Sequence, residues 1–367
     1  MKHSKPPFRK SALALAAIGF LGLAFAGEPA FAADRGAVYV LGNQTTANTV
    51  LVYARSEDGQ LRYSGEYPTG GTGANTGVDP LASQGSIVRK DGFVFAVNAG
   101  SNDLTVFRAL GTGLEAVGRF PSGGTTPTSV DVRGNLVYVL NSGGTPNITG
   151  FTIDSSTGSL TQIPDSRRAL AGGTGSRAAE VHFSSDGESL IVTEKGTQTI
   201  DVFTLDAQGV AKGQQSFFSS GAVPFGFGVT RRGYVVVTEA GGGSVSSYDL
   251  TDNGGLRQVT GSLALGQHAV CWLQTSADGH FAYTANAASN TISSIEIEAD
   301  GSLKLLDAVA ATPTTPLDMA LAREGGYLYV RDGSGGLTGY RIASDGSLSL
   351  VTSVSGVPAS AQGIAAF

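Results

Sequence analysis

RAAEVHFSSDGESLIVTEK, residues 177–195, is the stretch whose reading decides the fold. Two runs rich in apolar and β-branched residues, AAEVHF and SLIVTE, flank SSDG, so the stretch reads as two antiparallel strands joined by a tight Asp-Gly turn. The same pattern recurs in AVCWLQTSADGHFAYTAN (269–286) and PLDMALAREGGYLYVRD (316–332), and, one residue shorter, in PFGFGVTRRGYVVVTE (224–239). A pattern repeated along a chain fixes an architecture before it says anything about chemistry.

Indexed on the strand that follows each turn, the repeat runs VYVLG (38–42), VFAVN (94–98), VYVLN (137–141), LIVTE (190–194), VVVTE (235–239), AYTAN (282–286) and LYVRD (328–332). Successive copies are 56, 43, 53, 45, 47 and 46 residues apart, the period of four-stranded propeller blades. A third strand such as QTIDVFTL follows each, and then a fourth that opens on Gly-x-Leu, as in GSLTQI or GSLKLLDAV. No amphipathic helix stands out, and 53 glycines supply turns that need positive φ. The fold class is therefore all-β: a seven-bladed propeller of four-stranded antiparallel sheets over residues 33–367, one domain although the length alone would suggest two. The region opens on a second strand and ends on QGIAAF (362–367), a first strand, so we expect QGIAAF to pair with VYVLG and close the ring.

Ahead of the repeats, MKHSKPPFRK and the apolar run SALALAAIGFLGLAFA lead to Ala30-Phe31-Ala32. A basic start, a short apolar run and an A-x-A site read as a signal peptide over 1–32, which predicts an exported chain, periplasmic or extracellular, with no membrane span after cleavage. Without those residues the formal charge moves from -6 to -9, a balance that argues against nucleic acid as a partner. Cys271 stands alone, so it has no disulfide partner in the chain, and it reads as a small buried side chain. Three His in the mature region and no CxxC support neither a haem nor a multi-His metal centre, and no cofactor is expected. The partner expected is a small-molecule ligand on a monomer. Between blades run Gly/Thr/Ser/Pro loops, TGGTGANTGVDPLA (69–82) the longest; none leads into a helix or a P-loop lysine, and they read as connections.

Antiparallel pairing puts the start of each first strand beside the end of each second, so both sets of residues are expected to gather at one mouth of the channel. The second strands end in Gly42, Asn98, Asn141, Glu194, Glu239, Asn286 and Asp332. Asn or Asp there caps the following turn, whereas Glu is longer and does so less readily, which singles out Glu194 and Glu239 in adjacent blades. The residues expected beside them are Glu180 at Glu194, Phe225 and Gly226 at Glu239, Trp272 at Asn286, and Asp318 at Asp332. Two close carboxylates can hold one raised pKa and serve as general acid or base. The alternatives are a solvated acidic rim neutralised by Arg177 and Lys195, or a hard-ligand site suited to Ca2+. His268, in the loop before Trp272, could meet a ring-shaped or carboxylated ligand, and His182 could face the channel or the next blade.

The YVLN-like strands, the SxDG turns and the GxL-opened outer strands together resemble the bacterial lactonase family of seven-bladed propellers. That family includes a 6-phosphogluconolactonase and proteins named 3-carboxymuconate cyclases. TEKGTQTIDVFTL (193–205), PFGFGV with VVVTEA (224–240) and CWLQTSADGHFAYTAN (271–286) look like an exported branch of it. The resemblance implies a lactonase-like or cycloisomerase-like enzyme acting on a small lactone or carboxylated metabolite. A non-catalytic exported propeller binding a ligand or partner protein is the alternative. Active members carry Pro-Arg-His at the start of one inner strand and a Glu on the strand beside it. Here the inner strand reads Ala178-Ala179-Glu180, and Glu194 matches the Glu. On this reading Glu180 and Glu194 supply acid/base chemistry and Arg177 holds a carboxylate or oxyanion, while Glu239, His268, Trp272, Asn286 and Asp318 bind substrate.

Overall fold

The computed structural model describes residues 1–3, 34–74, 77–322 and 326–367. Nearly all of the stretch read as a leader lies outside the described residues. Among those described, no helix is long and apolar enough to cross a membrane.

Seven antiparallel sheets stand in a ring. Their innermost strands follow one another around the axis as Ile364–Ala366, Ile87–Lys90, Thr125–Arg133, Ala178–Phe183, Pro224–Val229, Val270–Thr275 and Pro316–Leu321. We number the blades 1 to 7 in that order. Blade 1 is the composite one: Ile364–Ala366 pairs with Asp34–Leu41 in the register Val38 to Ala366 and Val40 to Ile364, so the last strand closes the ring as expected.

The second strands explain why the sequence repeats show through so clearly. Phe93–Asn98 and Ser189–Glu194 are buried at every residue, because each is covered on both faces by the neighbouring blades. Such strands are largely apolar, with polar residues such as Asn98 and Glu194 held by hydrogen bonds, and each Val or Leu so buried contributes roughly 1.5–3 kcal/mol. Outer strands such as Ala211–Phe218 are exposed along most of their length and carry the polar residues. In blade 3 the outer edge is split. Leu160–Gln162 and Arg168–Ala169 both pair with Asn147–Ile153, and between them Ser166 Oγ accepts from Gly150 N and donates to Ile163 O.

Blades are also tied by tyrosines. Tyr138, Tyr283 and Tyr329 each donate their hydroxyl to the carbonyl of a turn glycine in the next blade, at 2.7, 3.0 and 3.0 Å for Gly209, Gly346 and Gly59. Gly59 lies at φ 87°, and a Cβ there would stand 2.3 Å from the Tyr327 ring. The Gly of the Gly-x-Leu pattern is thus both a positive-φ position and a seat for the neighbouring blade.

Candidate functional site

The inner strands begin with a kink that positions the site. In blades 4 to 7 the residue before the strand takes positive φ (Arg177, Val223, Ala269, Thr315), in blade 3 the second residue of the strand does (Thr126), and the pairing then skips within three residues. Such a bulge re-aims the side chains that follow it. It also moves the register. Glu194 pairs with Ala178, Glu239 with Pro224, Asn286 with Val270 and Asp332 with Pro316, while Glu180 pairs with Thr193. The starts of the inner strands do lie beside the ends of the second strands, but the expected neighbours lie further along the strand than the true partners.

Glu194 and Glu239 serve their own blades. Glu194 is fully buried and accepts from Gly172 N (3.1 Å), Thr197 Oγ1 (2.5 Å) and Thr199 Oγ1 (3.2 Å). Glu239, equally buried, accepts from Gly221 N, Ser219, Ser244 and Ser246. Each carboxylate thereby holds the loop that leads into its blade's inner strand, and Asn141 does the same for its loop through Ser122 O. A Glu at these two places is a longer version of the same anchor, not a break in the rule. Burial raises the Glu194 carboxyl above its usual range, with hydrogen bonds from Thr197 opposing and the nearby Asp201 adding to the rise.

The other proposed residues scatter. Arg177 is exposed on the positive-φ turn, and His268 is exposed with its backbone N–H on Ser289 Oγ. Asn286 is buried and bonds Thr291 and Ser293 of its own blade. Trp272 is buried edge-on to Phe225 and donates Nε1 to Ser83 O at 2.9 Å. Cys271 is buried, as expected, and burial pushes its thiol up to about 12. Among the described residues no three His, Cys, Asp or Glu side chains gather as a cation site requires.

Ser83 opens SQGSIV (83–88), which the sequence suggests as the inner strand of its blade after a connection ending at residue 82; the inner strand instead begins at Ile87, and Ser83 and Gln84 precede it. Residues 77–86 cross the channel mouth. Ser83 O accepts from Trp272 of blade 6 and from Gln362 Nε2, Ser83 Oγ donates to Thr128 O of blade 3, Leu81 N donates to Gln362 Oε1, and Lys195 Nζ donates to Ala82 O. Gln84 reaches the axis itself. Its Nε2 lies 3.1 Å from Glu180 Oε1, 3.1 Å from Phe227 O and 3.0 Å from Leu273 O, and its Oε1 accepts from Leu273 N at 2.9 Å. The mouth at which the site was expected is closed.

Below this cap lies a cavity of about 240 Å³, lined by Gln84, Asp131, Glu180, His182, Gln274 and Asp318 among others. Glu180 accepts from Phe227 N at 2.7 Å, so it also bridges blades 4 and 5. Burial drives its carboxyl well above the ordinary range; the two N–H donors oppose this, and the charges of Asp318 and Asp131 add to it. Asp318 is likewise raised by burial, partly offset by Met319 N, which donates to Oδ1 at 2.8 Å. Its backbone sits at φ 106°, where a non-glycine residue is strained.

His182 stands two residues along from Glu180, hence on the same strand face and about 7 Å away. Its Nδ1 lies 2.7 Å from Phe183 O and 3.4 Å from Asp131 Oδ2, and Asp131 Oδ2 is held by Phe183 N at 2.9 Å. A carbonyl only accepts, so Nδ1 carries a proton, and in the neutral ring Nε2 is the accepting nitrogen. The signal for this pair was present in the sequence as two polar residues of equal parity on an apolar strand, Glu180 and His182. Asp131 and Gln84 gave none, since they reach the site from other blades and from a loop.

A ring of seven blades around a capped, carboxyl-lined cavity defines the class of this protein as a seven-bladed β-propeller. The chain belongs to the lactonase family of seven-bladed β-propellers, whose model matches residues 28–173, 163–271 and 234–363. No curated protein sequence matches it at a significant level. Among solved structures it is similar to a protein from Lactobacillus plantarum (18% identity, TM-score 0.70, 90% of this chain and 98% of that one). It is also similar to the periplasmic gluconolactonase of Pseudomonas aeruginosa (19%, TM-score 0.68, 89% and 98%). A third such structure is a putative 6-phosphogluconolactonase from Bacteroides fragilis (17%, TM-score 0.65, 90% and 97%).

Proposed function

We propose that the protein hydrolyses a small sugar-type lactone in the capped cavity, outside the cytoplasm if the leader read at 1–32 is used. The observation that carries this reading is the pairing, on one strand face, of a buried carboxyl whose pKa burial raises, Glu180, with a carbonyl- and Asp131-backed His182. His182 Nε2 takes a proton from water as the oxygen adds to the lactone carbonyl. Glu180 donates a hydrogen bond to the carbonyl oxygen as it gains charge. When the ring C–O bond breaks, the leaving oxygen takes the proton back from His182, and an open hydroxy acid results. Glu180 thus takes the oxyanion-holding role first given to Arg177, while His182, backed by Asp131, does the acid/base work first given to Glu180 and Glu194.

Lactone-opening rates across a panel of sugar lactones test this. His182→Ala and Glu180→Gln should each lower kcat by about 10²-fold or more. The needed form of Glu180 is the protonated one, and its pKa is raised, so activity persists above the usual carboxylate range and falls as pH climbs through the raised value. That alkaline fall should vanish in Glu180→Gln. Full activity in both variants would overturn the site. The closed mouth favours a second reading, a propeller that binds a ligand without turning it over. Saturable binding of a lactone or polyol with no hydrolysis in the wild type would establish it.

A further inference from the structure

We propose that Gln84 is a positioning residue: carried in by the cap, it holds the Glu180 carboxyl with its hydroxyl toward the cavity, so the cap completes the site. This rests on the lactone-hydrolysing reading above. The hydrogen-bond count supports it. The Gln84 amide nitrogen has two hydrogens but three acceptors within 3.1 Å, namely Phe227 O, Leu273 O and Glu180 Oε1. Two hydrogens are thus shared among three acceptors, and Glu180 Oε1 receives at most one of them. A neutral carboxyl calls for fewer donors than an ionised one, so it suits this short supply better. Phe227 N occupies Oε2 at 2.7 Å, and the carboxyl lines the cavity beneath the cap.

The cap is built to bring this one amide to the axis. Gln84 N donates to Ala179 O at 3.1 Å, next to Glu180 in sequence, and Gly85 O accepts from Val130 N at 2.9 Å. On either side of Ser83 and Gln84 the chain turns through positive φ, 47° at Ala82 and 77° at Gly85. Blades 3, 4, 5 and 6 all grip the segment within these few residues. A plug needs only bulk there, whereas this one ends in an amide that meets the Glu180 carboxyl and the backbones of Phe227 and Leu273.

The test uses the full chain with Gln84→Met, similar in length and lacking the amide, and reads kcat, KM, the pH profile and the infrared band of the Glu180 carboxyl in the absence of lactone. Positioning predicts a fall in kcat of about tenfold or more with KM within roughly twofold. The alkaline limb and the infrared titration should both move to higher pH, because an N–H that favoured the ionised form is gone. Should Gln84→Met fail to fold, Gln84→Asn, which keeps the amide but shortens its reach, takes its place. Wild-type kcat with an unmoved pH profile would overturn the positioning role while leaving the lactonase reading intact. A wild type that opens no lactone would overturn the reading itself and the positioning role with it, and the infrared titration would still show whether the contact sets the carboxyl.

Discussion

Glu194 shows how a residue can be singled out correctly and for the wrong reason. Its length does separate it from the Asn found in other blades, but the extra reach goes outward to Gly172 N and to two threonine hydroxyls, with no exposure left for a ligand. Its removal is a matter of stability. Glu194→Ala leaves a buried N–H and two hydroxyls without their acceptor, which costs about 2–3 kcal/mol, and the turnover of the folded fraction stays at the wild-type value. Urea unfolding beside lactone turnover checks this. Collapsed turnover at unchanged stability would return Glu194 to the chemistry.

At the scale of the element, the cap has no secondary structure of its own and owes its place to side chains from distant blades. Gln362 is the chief of these, accepting from Leu81 N at 2.6 Å and donating to Ser83 O at 3.1 Å. Both bonds are lost in Gln362→Ala. Amide exchange across residues 77–86 should then quicken tenfold or more while the second strands of blades 3 to 6 keep their protection. Equal exchange in variant and wild type would show that the remaining ties suffice to seat the cap. Nothing in the composition of the loop announces this role, because Gly, Thr, Ser and Pro look alike in a connection and in a lid.

Over the whole molecule, closure of the ring decides whether the cavity exists. The last strand fills the inner place of blade 1, Arg55 Nε donates to Phe367 O at 3.1 Å, and Arg89 stacks on the Phe367 ring. Gln362, on the approach to the same strand, is the cap's anchor. Deleting residues 361–367 therefore opens the ring and frees the cap together. We expect Tm to fall by more than about 5 °C with loss of cooperativity, read by calorimetry. An unchanged melting curve would mean that the other six inner strands carry closure alone.

What the sequence determined by itself is the repeat and all that local pattern dictates: strands with apolar runs, positive-φ turns, seven copies, and the closing pair 38–42 with 362–367. These follow from contacts within a blade or from the demand that a strand covered on both faces be apolar, and both demands are written residue by residue. Glu180 was legible too, as a carboxyl on an inner strand. Tertiary structure alone decided which carboxyls meet. The bulges at the inner-strand starts shift the register, so Glu180 and Asp318 line the channel while Glu194 and Glu239 anchor loops. His182 gains Asp131 from the blade before it, and Gln84 arrives from a loop some hundred residues away in sequence. Such meetings depend on how blades stack around an axis, and no local periodicity records that.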